Sequence, residues 1–396
     1  MKAIVLAAGE GTRLRPLTTS RPKVMIPVGN KPILQHVVKA LVSSGIKEIV
    51  LVVGYKRERI MSYFGDGKEF GASIEYVVQE RQLGTAHALR AAKGKVREDF
   101  MVVAGDNIID SEVVSDLLHQ ERGMAVTVTT SETPSKYGVV RLEGDKVVEI
   151  IEKPSRRISD IISTGMYRFT PAIFDYLDEG LSEGQVAITP ILENNLHRIQ
   201  LRAVHTTGRW MDVVYPWDLI RVNSAALELQ GIDTCGTVEA GVTLKGAVSI
   251  GEGTRIRSGT YIEGPVAIGK GCDIGPLVAI HPATSIGDGV SIGPYTHILE
   301  SVIMNDASIS SHSHLSHCVL DEGVVLGPGL MAEAGEACTR VEQDFFDLKR
   351  IGAVIGENTS IGAGSVVMPG TIVGSGCRIA AQVKVQGNLE NRSIVV

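Results

Sequence analysis

The hydrophobic positions along the chain follow two different periods, and the change comes near residue 229. Before that point, apolar runs typical of strands alternate with segments whose apolar residues recur at helical spacing. The strand-like runs are Lys2–Ala7, Ile49–Val53, Ile74–Val78 and Phe100–Ala104, and the helical segments are Pro32–Ser44 and Ala86–Ala92. This alternation predicts an α/β domain over residues 1–228 with a mixed, mainly parallel sheet.

Beyond residue 229, an aliphatic residue recurs at every sixth position. The first series is Leu244, Ile250, Ile256, Ile262, Ile268, Ile274, Ile280, Ile286, Ile292 and Ile298, and a second is Ile355, Ile361, Val367, Val373, Ile379 and Val385. A helix does not produce a period of six, and glycine follows many of these aliphatic residues. The period predicts a parallel β-helix of hexapeptide faces over residues 229–396, whose core forms by stacking successive coils.

Two further features concern an interruption of the repeat and the connection between the two halves. The period breaks between Ile298 and Ile355, which predicts a loop or arm that leaves the prism there. Tyr215–Gly231 has the pattern of a helix that joins the two halves.

Bulk composition narrows the function classes. With 396 residues and 44% hydrophobic content, the chain is long enough for two packed domains. Its net charge is −6 and its basic residues are dispersed, which argues against a nucleic-acid partner. It has no apolar stretch of membrane-spanning length, and its first residues resemble a strand rather than a secretory leader. The five cysteines are widely spaced without a C-x-x-C pair, so neither a zinc cluster nor a disulfide framework is indicated, and we expect a cytoplasmic protein.

The first candidate chemistry lies directly after the first strand. Lys2–Ala7 is followed by the glycine-rich, basic run Ala8–Thr18 and then by Arg21, Pro22 and Lys23. Glycines let backbone N–H groups approach an anion, and Arg and Lys supply charge, so the run indicates a phosphate site. It matches neither G-x-x-x-x-G-K-[ST] nor G-x-G-x-x-G, which argues against a P-loop ATPase and a dinucleotide fold. Ligands of such sheets bind beyond the carboxyl ends of strands, where this loop and Asp106 are expected.

Several separated segments together resemble the signature of the sugar-1-phosphate nucleotidylyltransferases. They are Leu6–Leu14 with Pro22 and Lys23, Gln79–Ala86, Val103–Asp106, Lys136–Val139, Glu152–Pro154, Thr164–Tyr167 and Trp210–Val213. The resemblance covers roughly residues 1–228 and implies a Rossmann-like fold. It also implies the family reaction, in which a nucleoside triphosphate and a sugar 1-phosphate give a nucleotide sugar and pyrophosphate.

The resemblance implies a role for each matching residue. Arg13 and Lys23 would be the catalytic cations, and Asp106 and Asp212 would hold Mg²⁺, a hard cation that suits carboxylates. The nucleotide-binding set would be Leu6, Ala8, Gly9, Gly11, Thr12, Gln79, Gly84 and Thr85. The sugar-phosphate set would be Gly138, Glu152, Lys153 and Thr164.

The chemistry is consistent with these roles. The attacking phosphate oxygen is already anionic, so the site needs positioning and charge neutralisation rather than a general base. In relatives that transfer uridylyl or thymidylyl groups, a glutamine at the place of Gln79 and the Gly84 backbone read the pyrimidine edge, so the resemblance implies UTP or dTTP rather than GTP or ATP. The glutamine amide offers both a donor and an acceptor, which suits O4 and N3–H of uracil or thymine. The sugar, of the glucose-1-phosphate or N-acetylglucosamine-1-phosphate class, is left open. Taken singly, Asp106 and Asp212 could be local caps, and Lys23 an ordinary surface lysine.

The second half resembles the left-handed hexapeptide β-helix family, whose members commonly form trimers and in some cases bind acetyl-CoA. The order of the two halves also resembles bifunctional enzymes that make UDP-N-acetylglucosamine, and His314 matches the acetyl-transfer base of those enzymes. Three departures weaken this match: His317 replaces a tyrosine, Gly327–Glu333 lacks an asparagine, and Glu342–Asp344 is acidic where basic residues are expected.

Several alternatives therefore stay open. The prism could be an acetyltransferase, or it could serve only in homo-oligomerisation or regulation. The histidines could decorate a solvated turn, and a metal role for them is weakly indicated. A non-catalytic regulatory subunit that binds sugar nucleotides is opposed by the presence of Arg13, Lys23, Asp106 and Asp212 together.

Overall fold

The chain folds into two units, and each unit is made of two segments that are separate in the sequence. A computed structural model describes residues 1–120, 123–229 and 231–396. Unit 1 comprises Met1–Glu10 and Ile33–Met211, and unit 2 comprises Gly11–Pro32 and Asp212–Val396. The basic loop after the first strand thus packs with the hexapeptide repeats.

The helices and the first strands have the following bounds. The helices are α1 (Ile33–Ser43), α2 (Arg57–Phe64), α3 (Thr85–Ala91), α4 (Ser111–His119), α5 (Ile173–Ser182), α6 (Ile188–Asn195) and α7 (Asp218–Glu228). The strands up to residue 212 are β1 (Lys2–Ala7), β2 (Pro27–Val28), β3 (Lys31–Pro32), β4 (Glu48–Val53), β5 (Ser73–Val78), β6 (Phe100–Ala104), β7 (Asn107–Ile109), β8 (Met124–Thr130), β9 (Gly138–Glu143), β10 (Lys146–Glu152), β11 (Ile161–Phe169), β12 (Leu201–His205) and β13 (Trp210–Asp212). None of the described helices is long and apolar enough to cross a membrane.

Unit 1 is built on a mixed sheet with the strand order β5-β4-β1-β6-β11-β8-β12-β10-β9. The portion β5-β4-β1-β6 is parallel, whereas β11 runs antiparallel to both β6 and β8. Central strands are apolar and buried on both faces, since the consecutive residues Ile4 and Val5, which point to opposite sides of the sheet, are both fully buried. The predicted strands and helices of this half are confirmed, with ends that differ by one residue at most.

Unit 2 is dominated by short strands in a repeating order. They are β14 (Thr237–Val238), β15 (Thr243–Lys245), β16 (Val248–Ile250), β17 (Arg255–Ile256), β18 (Tyr261–Glu263), β19 (Val266–Ile268), β20 (Asp273–Ile274), β21 (Ala279–Ile280), β22 (Thr284–Ile286), β23 (Ser291–Ile292), β24 (His297–Leu299), β25 (Val302–Ile303), β26 (Ser308–Ile309), β27 (His314–Ser316), β28 (Val319–Leu320), β29 (Val325–Leu326), β30 (Met331–Ala332), β31 (Gly335–Val341), β32 (Asp344–Ile351), β33 (Ala353–Ile355), β34 (Ser360–Ile361), β35 (Val366–Val367), β36 (Thr371–Val373), β37 (Arg378–Ile379), β38 (Lys384–Val385), β39 (Asn388–Leu389) and β40 (Ile394–Val395).

Apart from β31 and β32, these strands form three parallel sheets, the faces of a prism. Each strand pairs with the strand one coil further on, so Ile250 lies beside Ile268, which in turn lies beside Ile286. The aliphatic residues of the six-residue series stack inward as one core. This is the predicted left-handed β-helix, in which each coil buries its core against its neighbours.

The predicted arm exists but is shorter than the interval in which the period breaks. Inward positions continue through Ile303, Ile309 and Leu320, because two coils are one residue shorter than the others and shift the six-residue count. Within this interval, β31 and β32 project from the prism as an antiparallel hairpin, which we call the arm.

The loop segment of unit 2 is tied to α7 and to the prism. The Gly29 N–H donates to Asn223 Oδ1 at 2.8 Å, and the Asn223 amide donates to the Ala283 carbonyl at 2.9 Å. Asn30 Nδ2 donates to the Ile286 carbonyl at 2.7 Å. Helix α7 confirms the helix predicted within residues 215–231, and it belongs to unit 2.

Candidate active site

In unit 1, the signature residues gather at the carboxyl ends of neighbouring parallel strands. Ala8 follows β1, Gln79 follows β5, and Gly105 and Asp106 follow β6. The backbone holds them in place, since the Gly105 N–H donates to the Leu6 carbonyl at 2.9 Å and the Gln79 N–H donates to the Val53 carbonyl at 2.8 Å. A side chain at residue 105 would place its Cβ 3.0 Å from the Leu6 carbonyl, which explains the glycine before Asp106.

The segment from Gln79 to Thr85 is held by hydrogen bonds and close backbone packing. Gln79 is only 3% exposed, and its Nε2 lies 3.2 Å from the Gly84 carbonyl oxygen and 2.9 Å from Nδ1 of His87. Gly84 has φ +147° and packs so tightly that an added Cβ would lie 2.3 Å from the Val186 carbonyl oxygen. The Thr85 hydroxyl accepts from the Ile188 N–H at 3.1 Å, which ties this segment to α6.

His87 is a residue that sequence reasoning missed. With Nδ1 as acceptor, its ring accepts one N–H of the Gln79 amide and so fixes which way the carboxamide oxygen points. The sequence did not predict this hydrogen bond, because α3 begins at Thr85 and Gln79 lies outside the helix that contains His87.

The sugar-side candidates occupy two paired strands of unit 1. Gly138 in β9 lies opposite Glu152 in β10, and an added Cβ at residue 138 would lie 3.4 Å from Glu152 Oε2. Because residue 138 is a glycine, the space in front of the Glu152 carboxylate stays open. Lys153 takes φ +46°, and its N–H donates to the Tyr137 carbonyl at 2.9 Å. Thr164 is buried, and its hydroxyl donates to the Thr127 carbonyl at 3.1 Å.

In unit 2, the loop residues Gly11, Thr12, Arg13 and Lys23 come together. Thr12–Leu14 and Lys23–Met25 are single helical turns, and Gly11 has φ +78° with room for no side chain, since its Cβ would lie 2.6 Å from Lys23 Cβ. Arg13 is about half exposed. The structure thus places both predicted catalytic cations on one loop of one unit.

A buried ion pair anchors this loop next to Lys23. Arg21 is 4% exposed, and its Nη2 lies 2.8 Å from Asp321 Oδ1 and 3.1 Å from Glu322 Oε2. Asp321 is fully buried in the prism, and burial raises its pKa to about 7 despite the Arg21 charge. The sequence analysis did not predict this ion pair, because its two residues are 300 positions apart.

Asp212, the second metal candidate, ends β13 and begins unit 2. Its carboxylate lies 3.8 Å from Nη2 of Arg221. The following turn is fixed by Asp218, whose Oδ2 accepts from the N–H groups of Val214 and Tyr215 at 2.8 Å each. Burial raises the pKa of Asp218.

The prism histidines have separate environments. His314 pairs with Glu333, and its ring meets that of His297 with centroids 5.1 Å apart. His317 Nε2 lies 3.0 Å from Glu300, while burial lowers the His317 pKa. His312 stacks on an exposed tyrosine instead. Among residues 1–120, 123–229 and 231–396, no group of three or more His, Cys, Asp or Glu side chains is arranged to hold a metal ion.

Family comparison assigns both halves. Residues 2–228 match the nucleotidyl transferase family. Residues 352–387 match the bacterial transferase hexapeptide, in six repeats, and residues 262–337 match the GMPPB C-terminal domain.

Known proteins resemble this chain over its whole length and over its first half. The bifunctional protein GlmU of Methanococcus maripaludis is 37% identical over 100% of this chain and 97% of its own. The UTP–glucose-1-phosphate uridylyltransferase AglF of Haloferax volcanii is 38% identical over 55% of this chain and 93% of its own. A crystal structure from Bacillus anthracis, assigned as a glucose-1-phosphate thymidylyltransferase and bound to sucrose, aligns with a TM-score of 0.55 at 32% identity. It covers 59% of this chain and 98% of that one.

Proposed function

We propose substrates and a catalytic arrangement for this chain, which belongs to the nucleotidyl transferase family. It is a sugar-1-phosphate nucleotidyltransferase with a hexapeptide-repeat domain, and therefore an enzyme rather than a non-catalytic subunit. The proposed reaction transfers the nucleotidyl group of UTP or dTTP to glucose 1-phosphate or N-acetylglucosamine 1-phosphate and releases pyrophosphate.

The observation that carries this proposal is the edge of the sheet in unit 1. Ala8, Gln79 and Asp106 directly follow strands of the parallel portion, where ligands of such sheets bind. A phosphate-approaching backbone, a base-reading amide and a metal-binding carboxylate are the three groups that a nucleoside triphosphate requires.

The base preference follows from the environment of Gln79. Because the amide nitrogen is turned to the Gly84 carbonyl and to His87, the carboxamide oxygen is left to accept a hydrogen bond from the base. Uracil and thymine carry N3–H in this position, whereas cytosine N3 is an acceptor. The arrangement therefore favours UTP and dTTP over CTP.

Charge neutralisation is the main catalytic task that we assign to the chain. The sugar phosphate attacks the α-phosphate with an oxygen that is already anionic, so two anions must be held together. We assign Arg13 and Lys23 to the triphosphate, where their positive charge stabilises the departing pyrophosphate. Glu152 hydrogen-bonds sugar hydroxyls in the space beside Gly138, and Lys153 contacts the phosphate of the sugar.

The carboxylates fit Mg²⁺. This ion keeps several waters and is usually held by one or two carboxylates together with substrate phosphates, rather than by a preformed protein cage. The described residues contain no cage of three or more such ligands, in keeping with this mode. We assign Asp106 and Asp212 as its ligands, and the bound ion would offset negative charge on the phosphates.

The test is pyrophosphate release measured with each of UTP, dTTP, ATP and GTP against several sugar 1-phosphates in the presence of Mg²⁺. We expect turnover with a pyrimidine nucleotide, and absence of turnover with every pair would disprove the proposal. Asp106→Asn should reduce kcat by about 10²-fold or more while the circular dichroism spectrum is unchanged. Asp145→Asn, which changes an exposed carboxylate beside Arg202, is the matched control and should retain full activity.

A second candidate activity is acetyl transfer by the prism. The observation that favours it is the contact of His314 with Glu333, since a carboxylate that orients an imidazole suits a general base. A full-length relative is described as a bifunctional protein. Acetyl-CoA would be the second substrate, and release of free thiol from acetyl-CoA and glucosamine 1-phosphate tests the proposal. His314→Ala should abolish the signal and His312→Ala should preserve it; no thiol release by the wild type would leave the prism a structural or regulatory domain.

Three further properties are proposals of the same kind. We propose a homo-oligomer, a trimer or a multiple of one, because hexapeptide prisms commonly associate through their flat faces. We also propose a cytoplasmic location, and a functional boundary between residues 228 and 229.

A further inference from the structure

The arm of unit 2 ends on the basic loop. Glu342 lies at the turn between β31 and β32 with φ +55°, and its Oε1 accepts a hydrogen bond from the Thr12 hydroxyl at 2.7 Å. Its other carboxylate oxygen lies 3.9 Å from Nε of Arg13. An acidic side chain of the prism therefore contacts two residues that the proposed function assigns to the triphosphate.

The arm is also held along its length. Phe346 packs against Tyr215 and Trp217, with ring centroids 4.5 Å and 5.4 Å apart, and those two rings stack on each other at 4.9 Å. On the opposite strand, Thr339 is paired with Phe346, and its hydroxyl donates to the Gly370 carbonyl at 3.0 Å. These contacts hold the arm in place in the substrate-free structure, so the carboxylate of Glu342 stays beside Thr12 and Arg13 until a ligand competes for them.

A carboxylate and a phosphate make the same demands on these donors. Both are anions whose oxygens accept from a hydroxyl and attract a guanidinium, so Thr12 and Arg13 cannot serve both fully at once. The carboxylate would also repel the triphosphate in this position. Because Arg13 and Glu342 are each about half exposed, their contact is weak enough for a multiply charged ligand to replace it.

We propose that Glu342 is an internal anion that occupies the triphosphate's place on Thr12 and Arg13 in the substrate-free enzyme, and that nucleotide binding displaces the arm. The hexapeptide domain thereby sets the affinity of the nucleotidyl-transfer site for its nucleotide. This inference rests on the proposed function, because it takes the loop to be the triphosphate site.

The kinetic test is Glu342→Gln, which removes the charge and keeps the shape. KM for UTP or dTTP should fall about threefold to tenfold, while kcat and KM for the sugar 1-phosphate stay unchanged. Glu336→Gln removes a charge from the base of the same arm and should change none of these values. An unchanged or raised nucleotide KM in Glu342→Gln, or an equal fall in Glu336→Gln, would overturn the proposal.

Hydrogen exchange supplies a readout that does not depend on turnover. Addition of UTP or dTTP with Mg²⁺, without sugar phosphate, should speed amide exchange in peptides from the arm, residues 335–351. The strands β31 and β32 form a two-stranded sheet, and such a hairpin opens more readily once it leaves its packing on Tyr215 and Trp217. Slower or unchanged exchange there would contradict displacement. If the wild type turns over substrates but these two results are not obtained, the proposed role of Glu342 is wrong and the proposed function stands. If no pair of substrates is turned over, the proposed function itself is wrong.

Discussion

Replacing Arg21 with methionine removes the cation of a buried ion pair in unit 2. Methionine keeps much of the apolar volume of the side chain, and the site already places Met304 Sδ 3.1 Å from the guanidinium. The change leaves Asp321 in the prism core without its partner. Within the described part of the chain, Asp321 Oδ2 already has no hydrogen-bond partner, so no neighbour is in place to compensate.

The expected cost is large because the remaining charge is buried. Removing one partner of a buried pair typically costs about 3–5 kcal/mol, since an uncompensated ion stays in a medium of low polarity. The Asp321 carboxylate can become neutral by taking up a proton, and each unit of pH changes the free energy of this protonation by about 1.4 kcal/mol. We therefore expect Arg21→Met to destabilise unit 2 by about 3–5 kcal/mol at pH 8 and by about 1–1.5 kcal/mol less at pH 6, because wild-type Asp321 also takes up a proton below about pH 7.

Urea unfolding of the full chain, followed by circular dichroism at both pH values, measures this difference. The matched control is Arg257→Met, since Arg257 makes a two-pronged contact of 2.7 Å with Asp273 on the outside of the same prism. That pair is partly exposed, and its loss should cost about 1 kcal/mol or less. A cost for Arg21→Met within about 0.5 kcal/mol of this control, or one that does not depend on pH, would refute the reasoning.

Three further predictions concern stability and base selection. Burial raises the pKa of Asp321 to about 7, so between pH 3.8 and about 7 the folded protein binds more protons than the unfolded chain. The free energy of unfolding should therefore fall by up to about 4 kcal/mol as pH rises through this range. Asp321→Asn should flatten this pH dependence in urea titrations. Gly84→Ala should lower the thermal midpoint by several degrees, because its Cβ would meet the Val186 carbonyl, whereas Gly94→Ala, with no atom within 4 Å, should leave it unchanged. His87→Ala frees the Gln79 amide to rotate and should reduce the kcat/KM preference for UTP over CTP by about tenfold; an unchanged ratio would remove His87 from base selection.

Regular elements were predictable because their signals are local. Apolar runs marked β1, β4, β5 and β6, and the six-residue period marked the prism, since both patterns record which side of the backbone faces a core. The interval after Ile298 was less predictable, because a coil shortened by one residue shifts the count without interrupting the stack.

Contacts between distant segments were not predictable in this way. The pairs Arg21–Asp321 and Thr12–Glu342 join positions 300 and 330 residues apart, and no pattern in a single sequence ties one to the other. His314 was a candidate from its motif, but its partner Glu333 emerged from the pairing of coils.

By itself, the sequence determined the two architectures, the segments that carry the transferase chemistry, and the residue types available at each step. These properties depend on periodicity and on spacing along the backbone, which the order of residues contains directly. The tertiary structure alone decided that the basic loop packs with the hexapeptide repeats, and that the arm places a carboxylate on Thr12 and Arg13. Such contacts depend on how the chain returns through space, because a charge acts on whatever lies within a few ångströms, however far away in the sequence.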